Sequence, residues 1–259
     1  MSQPSSPSRR FRTAAPHYLK GRPAYPERLI RRVAELTRLE RHHAVLDLGC
    51  GPGQLALAFA PHAATVLGVD PEPEMLRIAR LREAPNLRWM QASSRDLNPA
   101  WGHFHLVTMG RSFHWMEREE TLRRLDAQVA PEGAIALFSD THPELPENDW
   151  WPGYRALLSR FAPGREETRR RRDRSVHGHV PALLASAFNT LEIISVLERK
   201  PLTAETLVDR AFSMSSTSEE SLGERAIALA REIRGLGAGL LARGKLVEIV
   251  EMQALIARR

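Results

Sequence analysis

The sequence predicts an α/β protein built on a doubly wound, mostly parallel sheet, and three observations predict it. Short apolar runs alternate with amphipathic segments along the chain. The first run ends in a cluster of glycines, which frees the backbone to turn sharply. The second run ends in an acid, Asp70, about twenty residues further on.

Each element follows in order. After Pro26, the segment ERLIRRVAELTRL sets Leu29, Ile30, Val33, Leu36 and Leu39 at helical spacing. The run from Ala44 to Gly49 is apolar and closed by glycine, as suits a parallel strand buried on both faces. A helix from about Gln54 to Ala60 and a strand ending at Asp70 come next. PEPEMLRIARLR then reads as a helix, with Pro and Glu in its first turn and Arg in its last. Leu87 to Ala92, Phe104 to Met109 and Ala134 to Ser139 continue as strands, with a helix from about Glu119 to Ala130 before the third of them. Five strands with intervening helices make an open parallel sheet. Between Asp140 and Val180 the pattern breaks into Pro, Trp and charge, which is longer than an ordinary connection and predicts a small cap inserted at about 140–180. A helix from Pro181 to Ala187 and the strand LEIISVLE resume the core. LTAETLVDRAFSMSS and Leu222 to Leu241 read as helices, and KLVEIVEMQALIA as a last strand.

Composition narrows the function classes. With 259 residues, 42% of them hydrophobic, the chain can bury a full core without staples. The single Cys50 excludes an internal disulfide framework and a Cys-rich zinc site, and fits a cytoplasmic protein. The best apolar stretch, Leu55 to Val69, is interrupted by Pro61 and His62, so a soluble protein without a membrane partner is expected. The net charge of +6 is concentrated in a tail over residues 1–12, read as disordered, and in an Arg-rich run over 160–174. A nucleic-acid binder would stripe such charge over a folded face, so nucleic acid is not the expected partner.

The informative stretch is VLDLGCGPGQLALAF followed by VLGVDPEPEML. A strand carrying Asp47 runs through Gly49, Gly51 and Gly53 into a helix, and builds a turn whose backbone can approach a ligand. Asp70 closes the second strand, where a carboxylate can accept both hydroxyls of a ribose. The spacing is Gly-x-Gly-x-Gly rather than the dinucleotide Gly-x-Gly-x-x-Gly, and no Gly-Lys-Ser/Thr of a P-loop follows.

With that turn, the acid and the strand order together, the sequence resembles the class I S-adenosylmethionine-dependent methyltransferases. HYLKGRPAYP, LVTMGRSFHWM and LVDRAFSMSSTS extend the likeness to the small-molecule branch related to the trans-aconitate and ubiquinone-type methyltransferases. The resemblance implies a Rossmann-like methyltransferase fold of seven strands with an antiparallel last strand, spanning 13–259. It also implies S-adenosyl-L-methionine as cofactor and methyl transfer to a carboxylate, hydroxyl or carbon centre of a small molecule. A catalytically inactive cofactor-binding module and an RNA or protein methyltransferase are the alternatives. Against the latter, the fourth strand ends in Met109-Gly110-Arg111 rather than in the Asn/Asp-Pro-Pro-aromatic motif of many amino-group methylators.

The same resemblance assigns residues. Gly49, Gly51 and Gly53, with Asp47 ahead of them, are implied at the cofactor's amino-acid portion, Asp70 at its ribose, and Pro71 and Met75 at its adenine face. Ser93 and Ser94 stand where many relatives place an acid toward the adenine amino group, and Gly110 is counted with the cofactor contacts. Residues 13–26 are implied to be an irregular lid, with Arg22 for the cofactor carboxylate and Tyr18 or Tyr25 packed on it. Arg111, His114 and Trp115 follow a strand's carboxyl end, where this fold holds its ligands. His114 is the candidate catalytic residue, as a proton acceptor or as a positioning group, since an imidazole titrates near working pH. Trp151 and Met214 suit an apolar or planar substrate, and core packing explains them equally. His177 and His179 have no further ligand at metal spacing, so no metal is expected.

Overall fold

Along the chain the helices and strands are α1 (Ala15–Gly21), α2 (Glu27–Leu36), β1 (Ala44–Leu48), α3 (Gln54–Phe59), β2 (Thr65–Asp70), α4 (Pro73–Ala79), β3 (Leu87–Gln91) and β4 (Phe104–Gly110). There follow α5 (Arg118–Asp126), β5 (Val129–Thr141), α6 (Trp151–Phe161), α7 (Val180–Leu184), β6 (Thr190–Pro201), α8 (Ala204–Phe212), α9 (Glu219–Leu222), α10 (Arg225–Ala242) and β7 (Val247–Arg258). They come from a computed structural model that describes residues 13–163, 177–244 and 246–259. The tail over 1–12 and most of the Arg-rich run, 164–176, lie outside the described residues. The chain divides into a sheet unit (Tyr25–Thr141, Arg172–Val196, Met252–Arg259) and a helical unit (Met1–Ala24, His142–Arg171, Leu197–Glu251). The division falls within β6 and β7. The second unit draws on three stretches of chain, where the sequence suggested one insertion at about 140–180.

In the sheet unit the strand order is β3-β2-β1-β4-β5-β7-β6. β1, β2 and β3 pair in parallel, Val45 beside Val66 and Val66 beside Leu87. β4 returns to the other side of β1, with Leu46 beside Val107, and β5 continues in parallel. β5, β7 and β6 form the antiparallel edge. The direction of winding thus reverses between β1 and β4, and the carboxyl ends of these strands open a crevice. β1 and β4 are almost wholly apolar because both faces are covered, and Leu46, Leu48, Val107 and Met109 are packed with Leu122 and Leu125 of α5. β5 is longer than the apolar run Ala134 to Ser139. Its Pro131 to Gly133 segment, which reads as a turn, sits inside the strand as a register shift, Phe104 facing Val129 and Leu106 facing Ala134. α5 therefore ends at Asp126 and not near Ala130.

α2 begins after Pro26 and ends at Thr37, whose hydroxyl donates to the Val33 carbonyl at 2.8 Å, so Leu39 lies beyond it. The Thr37 carbonyl accepts from His105 Nε2 at 2.7 Å. His105 stacks face to face on His43 with centroids 3.7 Å apart, and His42 follows 4.0 Å beyond. The Glu40 amide donates to His43 Nδ1 at 3.0 Å, an acceptor that protonation would remove. Burial, then the neighbouring His105 and His42, hold His43 below its usual 6.5, against the weaker pull of Glu40. A lowered imidazole value means stability present above pH 6.5 and lost as pH falls through the lowered value. Urea midpoints should therefore drop more steeply below pH 6.5 in wild type than in His43→Asn. Parallel curves would remove the stack as the origin of that acid sensitivity.

The helical unit buries Tyr154 and Leu158 of α6 with Leu207 and Ala211 of α8 and Leu229, Ile233 and Leu240 of α10. The Tyr154 hydroxyl donates to the Leu207 carbonyl at 2.7 Å. Residues 15–21, expected to be irregular, form α1. The physical reason is Gly21: a Cβ there would stand 2.3 Å from the Arg210 nitrogen and the Asp209 carbonyl carbon, so the two helix backbones touch. His17 Nδ1 bonds Asp209 Oδ1 at 2.6 Å and fastens the same pair of helices. Among the described residues no helix is long and apolar enough to cross a membrane.

Candidate active site

The glycine turn lies at the carboxyl ends of β1 and β2. Gly49, Gly51 and Gly53 have φ of 71°, 54° and 83°, the left-handed region that a side chain resists. Their reasons differ. A Cβ on Gly49 would stand 2.6 Å from the Ser112 Cβ, and one on Gly53 would stand 2.3 Å from the Trp89 ring, so both glycines make room for neighbours. A Cβ on Gly51 would meet nothing within 4 Å. Gly51 is therefore the position where bare backbone borders open space.

Two amides converge on Asp70 beside it. Gly51 N–H donates to Oδ2 at 2.8 Å and Glu72 N–H to Oδ1 at 2.9 Å. Burial outweighs these bonds and raises the Asp70 carboxyl to about 6. Each oxygen accepts one bond, which leaves each a lone pair for a further donor. The Gly49 and Cys50 amides both donate to the Val69 carbonyl, at 2.7 and 2.9 Å, and clamp the turn to β2.

A model of the methyltransferase domain matches residues 45–133, the stretch that carries this turn, Asp70, β3 and β4. Residues 45–133 are thus a methyltransferase domain. Trans-aconitate 2-methyltransferase of Deinococcus radiodurans is 32% identical over 124 residues, which is 46% of this chain and 45% of that protein. The trans-aconitate 2-methyltransferase of Delftia acidovorans is 37% identical over 111 residues, 40% of this chain and 38% of that protein. The chain spans about half the length of the curated relatives it matches. Among solved structures, a SAM-dependent methyltransferase from Thiobacillus denitrificans in complex with S-adenosyl-L-homocysteine aligns over 100% of both chains, with TM-score 0.53 and 16% identity. That likeness shows the fold.

Several residues counted as cofactor contacts also make contacts inside the protein. Asp47 is buried, with Oδ2 accepting from the Ala56 amide and Oδ1 from the Thr108 hydroxyl, both at 2.9 Å. It ties β1 to α3 and β4 from behind the turn, and burial raises it to about 7. Gly110 is clearance for Tyr25, since a Cβ would stand 2.4 Å from the Tyr25 hydroxyl oxygen. Met75 is buried with Leu76 and Ala79 on the inward face of α4, while Pro71 is exposed. Burial with nearby Asp47 and Asp70 pushes the Cys50 thiol up, so it stays protonated in the turn.

Ser93 opens a short turn as a capping box. Its amide and its hydroxyl both donate to Asp96 Oδ2, at 2.8 and 2.7 Å, and its oxygen accepts from the Arg95 amide at 3.2 Å. These bonds hold the Asp96 carboxyl below the usual range. Ser94 follows in the same turn, half-buried.

After β4, the Ser112 hydroxyl donates to the Leu48 carbonyl at 2.9 Å and joins this loop to the glycine turn. Arg111, expected in the substrate pocket, bonds Asp140 through its Nε, its guanidinium lies 4.7 Å from the Tyr25 ring centre, and its φ is 56°. Asp140 thus joins the site unannounced by any motif. Ser112 and Thr108 could have been found as polar residues beside and inside an apolar strand. His114 is buried in the turn Phe113–Trp115, its ring 5.2 Å from that of half-buried Trp115. His179 lies edge-on to Phe113 at 5.2 Å.

The remaining candidates belong to the helical unit. The Arg22 guanidinium is 5.6 Å from the Tyr18 ring centre, and its buried Nε bonds to none of the described residues. Met214 is buried in that unit's core. Trp151 is half-buried and stacks on His142, with centroids 3.9 Å apart.

Proposed function

We propose that this chain binds S-adenosylmethionine at the glycine turn and transfers its methyl group to a small-molecule acceptor. The observation that carries the reading is the pairing of Gly51, bare backbone beside open space, with the Asp70 carboxylate whose lone pairs suit two ribose hydroxyls. Ser93 fits the adenine end: its proton is given to Asp96, so a remaining lone pair suits an amino-group donor. Arg22, stacked on Tyr18 with a spare buried N–H, suits a carboxylate. When bound, the cofactor supplies a methyl group already activated by a sulfonium. The protein's residues then have to align the acceptor and exclude water. His114, buried against Trp115, acts as a positioning group for the loop after β4.

The relatives named for trans-aconitate put small carboxylates first among acceptors. A single Cys50 suits the cytoplasm. The test is release of S-adenosylhomocysteine with trans-aconitate, catechol and a primary amine as acceptors. Turnover of a small acid or hydroxyl compound is expected. Tight cofactor binding without turnover on any acceptor would favour the inactive binding module.

A further inference from the structure

β3 is an edge strand of the sheet, and its central residue, Trp89, is paired with Gly68 of β2. The Trp89 ring is half-buried, and two glycines on separate elements make way for it. A Cβ on Gly68 would stand 2.4 Å from both Cε3 and Cζ3 of the indole, and 3.3 Å from Cys50 Sγ. A Cβ on Gly53 would stand 2.3 Å from Cη2, at the outer edge of the six-membered ring. The indole thus lies across the bare backbone of β2 and ends against the last glycine of the turn. A glycine inside a strand forfeits side-chain packing and marks such a close approach.

The two ends of the turn are held differently. At its start, the Gly49 and Cys50 amides donate to the Val69 carbonyl of β2. At its end, Gly53 caps α3 with φ of 83° and ψ of 23°. Its amide turns back to the Cys50 carbonyl, and its carbonyl accepts from the Leu57 amide of α3, both at 3.0 Å. Those two bonds fix Gly53 to its own turn and helix, and the Trp89 ring supplies its contact with the sheet. Gly51, the bare backbone beside open space, lies between the two supports. A smaller apolar residue at 89 with an alanine at 68 would fill the same layer. What the indole adds is reach to the turn.

We infer that Trp89 is a positioning residue for the cofactor. The outer edge of its indole sets where Gly53 stands above β2, and so aims the backbone of Gly51 at the ligand. This rests on the reading above, in which the glycine turn holds S-adenosylmethionine. The ring acts through Gly53 and need not touch the ligand itself. A turn carried on rigid packing keeps its geometry before the ligand arrives, so binding loses less to ordering. Phenylalanine or leucine at 89 would still cover Gly68 and would end short of Gly53.

The full chain and its Trp89→Phe and Trp89→Leu variants are titrated with S-adenosylhomocysteine by calorimetry and unfolded by heat without ligand. Both variants should bind on the order of 10-fold more weakly while still folded, the effect of a displaced support. A ring that only fills the layer would lower the unfolding temperature and leave the affinity of the folded variant within about twofold of wild type. That result in Trp89→Phe would overturn the proposal. If Trp89→Phe fails to fold, hydroxyl-radical oxidation of wild type, read at Trp89 by mass spectrometry, decides. Oxidation that slows when S-adenosylhomocysteine is added supports the proposal, because the ligand seats the turn on the ring. An unchanged rate overturns it. A wild-type chain that binds no S-adenosylhomocysteine would instead overturn the reading of the glycine turn, and the role of Trp89 with it.

Discussion

Arg210→Met should destabilise the folded chain by about 3–5 kcal/mol, the scale for leaving one charge of a buried pair unmatched. The carboxylate of Glu248, which Arg210 grips with Nη1 at 2.7 Å and Nη2 at 2.9 Å, would remain 4% exposed at its side chain, with only the His142 ring among the described residues to answer it. The Gly21 carbonyl would also lose its donor where α1 meets α8. Adding Glu248→Leu should recover most of the loss, because two apolar groups of similar volume need no desolvated partner. Urea denaturation of wild type, single and double variants measures this cycle. A single variant within about 1 kcal/mol of wild type, the range of an exposed pair, would mean the pair is solvated in the native protein.

The second large effect separates three glycines that look alike in sequence. Gly51→Val should weaken S-adenosylmethionine binding on the order of 10²-fold, equivalent to ~2.7 kcal/mol, because its side chain would enter the open space bordering the turn. Its left-handed φ of 54° adds a folding cost, about 1–2 kcal/mol for such a conformation. Gly53→Val would strike the Trp89 ring and should lose stability foremost. Calorimetry beside thermal unfolding distinguishes the two. Equal affinity in Gly51→Val and wild type would mean that the ligand does not approach this backbone.

The difference between what the sequence revealed and what it hid follows from range. The turn was legible because left-handed backbone at Gly49, Gly51 and Gly53 is a local demand that glycine meets. Asp70 was legible because a carboxylate closing an apolar strand is costly without a use. β1 to β4 were legible from short apolar runs bounded by turns. α1 was hidden because HYLKG has no apolar period, and its helix depends on contact with Arg210, far along the chain. The inner β5 was hidden because Pro131 to Gly133 is turn chemistry, tolerated there as a register shift. Asp47 was legible as a residue but the direction of its carboxylate was not, since that shows only in the Ala56 amide and the Thr108 hydroxyl that donate to it. Arg111 with Asp140, and His142 with Arg210 and Glu248, are pairings that tertiary structure alone brings together.

The central claim is that the Gly51 turn and Asp70 hold S-adenosylmethionine, and isothermal calorimetry tests it most directly. Wild type should bind S-adenosylmethionine and S-adenosylhomocysteine and not NAD. Asp70→Ala should lose roughly 1–3 kcal/mol of that binding, the value of hydrogen bonds to a charged group. With its carboxyl raised to about 6, Asp70 is ionised at pH 7.5 and protonated on acidification, so affinity should be full above that value and fall as pH drops through it. In Asp70→Ala that fall should be absent. NAD binding with no response to S-adenosylmethionine, or an Asp70→Ala variant that binds S-adenosylmethionine as tightly as wild type, would contradict the account.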